Sequence, residues 1–97
     1  MRKILEKVKR ECKKSEVIKS VTEMIEDKIK YFKDLNGDKD DMESMFREDL
    51  KDYMTIIDAI YEQNTTFDKV EEMFYRMDTC PRESLYVIFE GMISYDS

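Results

Sequence analysis

Histidine is absent from this 97-residue chain, and that absence removes a great deal of chemistry. It takes away the commonest general base and the commonest transition-metal ligand. It also takes away every Ser-His and Cys-His nucleophile arrangement. Cysteine is nearly as scarce. Cys12 and Cys80 are too few and too scattered for a disulfide framework, and no CxxC pair exists, so two free thiols in a reducing compartment are expected. Proline occurs once, glycine twice, and Ala59 is the only alanine, while lysine and isoleucine are abundant. That bias is associated with AT-rich genomes, phages and mobile elements included. Long apolar runs are missing too. The most apolar window, Leu85 to Tyr95, is about half the ~20 residues a membrane helix needs. The N-terminal MRKILEKVKREC lacks the continuous apolar stretch of a signal peptide, so a cytoplasmic protein without a membrane span is expected.

What is present is a core and a heavily charged exterior, at 41% hydrophobic and 41% charged residues. Disorder needs lower hydrophobicity than this. A chain of this length forms one domain, 1–97, burying roughly 65% of its unfolded surface.

Apolar residues recur at helical spacing between sparse breaks. Residues 2–13 carry Ile4, Leu5, Val8 and Cys12 on one side. Residues 16–35 carry Ile18, Val21, Ile25, Ile29, Phe32 and Leu35. On a wheel of about 100° per residue the first set averages near 95° and the second near 290°. One unbroken helix would therefore face two ways, and the spacing predicts a break around Lys13–Glu16. Asn36-Gly37 reads as a helix C-cap, and Asp40 or Asp41 as the start of a third helix running to about Glu62. Its seam is Met42, Phe46, Leu50, Tyr53, Ile57 and Ile60. Thr65 with Asp68 reads as a variant capping box for a fourth helix through Phe67, Val70, Phe74 and Met77, ended by Cys80-Pro81. Leu85 to Tyr95 is apolar nearly all round and predicts a fifth helix buried among the others. No second strand candidate exists to pair it. The fold class is all-α, a compact bundle of four to five helices around the C-terminal one.

The segment Asp34 to Met45 imitates a calcium-binding EF-hand loop, with oxygen ligands where positions 1, 3 and 5 would fall. Lys39 stands where glycine is required, Asp41 where an apolar residue is usual, and Met45 where the bidentate glutamate belongs. A helix-helix turn is the better reading, and neither a metal nor a cofactor is expected. Carboxylate pairs are too numerous to point to acid-base catalysis. Cys80 before Pro81 sits near a helix start, where a thiolate is favoured. With no base available it reads as a plain turn or core residue. The eight methionines suggest an adaptable surface, although Met42, Met45, Met73, Met77 and Met92 follow the apolar stripes and read as core. No enzymatic activity is expected.

Charge is segregated along the chain. Residues 1–14 hold seven Lys/Arg against two Glu, net +5; residues 34–97 hold six against seventeen acids, net −11. The basic segment 1–14 reads as an amphipathic arm. Through Ile4, Leu5 and Val8 it docks on the same chain or, most plausibly, on a second copy. The alternative is a free arm that binds nucleic acid or an anionic membrane surface. The acidic exterior places Asp41, Glu48 and Asp52 opposite the seam of the third helix, and Asp68 and Glu72 opposite that of the fourth. It reads either as a solvating face or as a surface for a protein partner that presents a basic groove.

In size, acidity and lack of catalytic equipment the chain is similar to small phage-encoded inhibitors of host or defence proteins, anti-CRISPR proteins among them. That similarity implies a non-enzymatic protein-binding inhibitor, with no direct binding to nucleic acid. The alternatives are a helical module that dimerises through its arm and a peripheral nucleic-acid or membrane binder.

Overall fold

Ten residues of alternating basic and apolar character, Arg2–Glu11, form α1. A computed structural model describes residues 1–36 and 40–93, without the side chains of residues 36, 40 and 41. The Asn36-Gly37 cap, the Asp40/Asp41 cap and the central part of the EF-hand-like segment therefore lie outside the described residues. Four more helices follow: α2 Lys14–Asn36, α3 Asp40–Tyr61, α4 Phe67–Arg76 and α5 Thr79–Met92. Five helices joined by short turns, with no strand among the described residues, make up the chain, so the all-α bundle expected from the apolar spacing is the fold.

The break between the first two stripes falls at Cys12 and Lys13. Cys12 turns to an extended backbone, φ −118° and ψ 143°, while its N–H still donates to the Val8 carbonyl at 2.9 Å. Glu16 then reaches back to accept from the Lys13 N–H at 3.3 Å, the glutamate half of a capping box. Two helix ends are thereby satisfied with neither glycine nor proline.

Two boundaries differ from those expected. Thr66, not Thr65, caps α4, its hydroxyl accepting from the Lys69 N–H at 3.4 Å; Thr65 instead donates to Glu62 at 3.0 Å. Helix α5 begins at Thr79, ahead of Pro81, because an N–H in the first turn has no intrahelical partner to lose.

The core runs along α2 and α3, which pack most extensively on each other. Val17, Val21, Ile25 and Ile29 face Phe46, Tyr53, Ile57 and Ile60, and the Phe32 and Phe46 rings meet at 5.4 Å. Helix α1 lies across α3, α4 and α5, closing one end. No polar or charged residue is buried among those described.

Helix α5 departs from expectation in a way that matters below. It is not enclosed. Leu85, Phe89 and Ile93 are buried, but Val87 is 65% exposed and Tyr86 36%. The center of the bundle is the α2–α3 pair, and α5 covers one flank of it.

Candidate functional site: a carboxylate surface beside an apolar groove

The basic arm is docked within its own chain. Leu5 and Val8 have no exposure at all, and Ile4 is half-buried against the core. Of the two dockings expected, on the same chain or on a second copy, the structure displays the first: α3, α4 and α5 of the same chain cover these residues. Charge assists the fit. Arg2 pairs with Asp68 at 2.6 Å, Lys14 with Asp58 at 2.8 Å, and the Lys9 ammonium lies 5.6 Å from the Phe67 ring centroid. The Tyr61 hydroxyl closes the joint, donating to the Cys12 carbonyl at 2.7 Å with the Val8 carbonyl 3.2 Å away. The Cys12 carbonyl lies past the end of α1, where helical donors run out, whereas the Val8 carbonyl also accepts from the Cys12 N–H. Burial, with Cys12 and Glu16 nearby, pushes the Tyr61 phenol up to about 12.

The thiols are set apart by the same packing. Cys12 is buried and its sulfur lies 3.4 Å from the Met92 carbonyl oxygen. Burial, then Glu16 and Glu11, pushes its thiol up, away from the reactive thiolate. Cys80 is exposed in the first turn of α5. Among the described residues, no group of three or more cysteines and carboxylates is arranged to hold a metal ion. Nor is any helix among them long and apolar enough to cross a membrane.

The five carboxylates singled out by the wheel divide. Asp41 lies outside the described side chains. Asp68 is held by Arg2, and Glu72 by Arg76 at 2.6 Å, so the outer face of α4 already carries its own counter-charges. Glu48 and Asp52 are exposed on α3 with no ion pair among the described residues.

The structure adds two residues to these. Asp49, half-buried one turn before Tyr53, has its carboxyl pushed up by burial and then by Asp52; Lys28 opposes, and Asp78 and Glu48 add to the rise. Asp78 precedes α5 and makes no side-chain cap bond. Glu48, Asp49, Asp52 and Asp78 thus form one surface where the middle of α3 meets the α4–α5 turn. The Tyr53 hydroxyl fixes that junction by donating to the Pro81 carbonyl at 2.8 Å. Asp49 was missed because it borders the apolar seam. Asp78 was missed because only the tertiary fold brings it to α3.

Asp52 also stands on the lip of a small cavity of about 210 Å³ floored by Ile56, Met73 and Met77. The methionines do pack largely on the core, as their spacing suggests, but Met45 is 49% exposed. On the other side, Lys28 separates the carboxylate surface from a larger open groove of about 500 Å³ between α2 and α5. No protein-family model, curated protein or solved structure matches this chain.

Proposed function

We propose that this chain is a non-enzymatic protein-binding inhibitor, of the kind phages deploy against host or defence proteins. Its carboxylate surface engages a basic, nucleic-acid-handling partner and blocks access to it. One observation carries the reading: Glu48, Asp49, Asp52 and Asp78 gather with no ion pair among the described residues. Elsewhere the same chain pairs its acids readily, as at Asp58, Asp68 and Glu72. Gathering like charges works against folding, and natural chains retain such costs where function needs them. A lysine- and arginine-lined groove supplies the missing counter-charge. Such complementarity chiefly speeds encounter and selects partners.

The docked arm weakens both rival readings. Its apolar face is spent inside the bundle, leaving no stripe to insert into a membrane or to zip against a second copy. Its outward lysines are the only support for direct nucleic-acid binding.

The test compares wild type with a variant carrying Glu48→Lys, Asp52→Lys and Asp49→Asn. Proteins captured from the source cell by wild type are identified, then titrated with each form while bound to labelled nucleic acid. Wild type should displace the nucleic acid and the variant should not. Neither should retard free DNA or RNA in a gel. Equal displacement by both forms, or a gel shift by wild type alone, contradicts the proposal.

A further inference from the structure

The groove between α2 and α5 has the form of a seat for a third helix. Ser20, Met24, Asp27 and Tyr31 recur at spacings of four, three and four, so they share one face of α2. That face runs about 16 Å at 1.5 Å per residue, roughly three helical turns. Ile88 of α5 supplies the opposite apolar wall. Tyr31 is 61% exposed there, a large ring left on a helix whose other side is core. Val87, adjacent to Ile88, extends the uncovered apolar area onto the outer face of α5.

The charge lining the groove is net negative, two carboxylates against one lysine. Glu23 and Asp27 stand one turn apart on its rim, a like-charge spacing that works against an isolated helix. Neither has an ion pair among the described residues. The groove's own cation, Lys28, is committed elsewhere. Its ammonium donates to the Ser84 hydroxyl at 2.8 Å and lies 6.0 Å from the Phe46 ring centroid. The acidic rim continues past Lys28 to Asp49 and the carboxylate surface.

We infer that this groove receives an amphipathic helix of the partner, leucine-like residues inward and lysines or arginines along its flanks. The inference rests on the proposed function and names the partner element that would bring a basic surface onto α3. A second copy of the chain cannot supply the occupant. Its one strongly basic amphipathic helix is α1, whose apolar face is already buried, and residues 34–97 carry net −11. Helix-in-groove recognition places anchors at i, i+3 or i+4, and i+7, which matches the period of the α2 face.

Fluorescence anisotropy with defined peptides tests this. The probe is a labelled leucine/lysine amphipathic helix of about three to four turns. The control is a glycine/lysine peptide of equal charge and length. Wild type should bind the helical probe at least about tenfold more tightly than the control. Replacing Glu23 and Asp27 with lysine should weaken the probe at least about tenfold, and Tyr31→Ala several-fold, with helicity unchanged by circular dichroism. No probe binding, equal binding of both peptides, or indifference to the groove variants overturns the inference. The carboxylate variant of α3 separates the two claims. If it alone abolishes probe binding while the groove variants do not, the groove is wrong and the α3 surface stands. Loss in the groove variants alone supports the groove, and the nucleic-acid displacement assay with the α3 variant then tests the carboxylate surface by itself.

Discussion

Tyr61→Phe isolates the contact that holds the arm in place. The substitution keeps the ring and its packing and removes only the hydroxyl that serves the Cys12 and Val8 carbonyls. A net hydrogen bond contributes about 0.5–1.5 kcal/mol, and a buried acceptor left unpaired costs about 1–3 kcal/mol. Val8 retains the Cys12 N–H as donor, whereas the Cys12 carbonyl, on a residue only 8% exposed, loses its hydroxyl donor. A destabilisation of about 1–2 kcal/mol follows. For a domain of this size each kcal/mol lowers Tm by about 4–8 °C. The melting curve, followed by far-UV circular dichroism, should therefore shift down by about 5–15 °C. Thiol labelling supplies a local reading. Cys80 should react at once in both forms, and Cys12 should react about 5–30-fold faster in the variant, the factor that 1–2 kcal/mol represents. Because the phenol is pushed up to about 12, wild type should keep this contact from acid to mildly alkaline pH. Its contribution is fully present below the ordinary value of 10 and is lost as pH rises through about 12. An unchanged Tm together with an unchanged Cys12 rate would refute the reasoning.

Three further outcomes are expected. Leu5→Ala should cost about 2–5 kcal/mol in chemical denaturation, because the side chain is wholly buried under α1 within a single chain; sedimentation should show no accompanying change of oligomeric state. Gly91→Ala in the last turn of α5 should gain up to about 0.5 kcal/mol, since a Cβ there meets nothing within 4 Å and alanine restricts the unfolded chain more than glycine; a lower Tm would contradict this. Asp49→Asn should raise Tm at neutral pH. Its carboxyl is pushed up, so the folded state gains as pH falls through the raised value, and the variant's advantage should vanish once wild type is protonated.

Most of the helices were legible because apolar spacing records which face each one buries. The opposed phases of Ile4/Leu5/Val8 and Val21/Ile25/Ile29 pointed to a break around Lys13–Glu16, and it falls slightly earlier, at Cys12–Lys13, although no glycine or proline marks it. Local ambiguity moved the α4 cap by one residue, since Thr65 and Thr66 offer the same hydroxyl. The burial of α5 was overread. Apolar composition all round says what a helix can cover, not what is available to cover it, and Tyr86 and Val87 stay exposed. The site was less legible than the fold. A wheel orders charges on one helix, but counter-charges come from elsewhere: Arg2 reaches Asp68 across 66 positions in sequence. The same limit hid Asp78, which joins Asp49 only when α5 docks.

The central claim is that an unpaired carboxylate surface captures a basic partner. Its most direct test is the association rate of wild type with the captured partner across a salt series. Exposed charges are screened over ~8–10 Å near physiological ionic strength, so steered encounter fades as salt rises while dissociation changes little. The account predicts that association slows steeply with salt for wild type. The Glu48→Lys/Asp52→Lys/Asp49→Asn variant should associate slowly at every salt concentration. Association that is independent of salt, or equally fast for the variant, would contradict it.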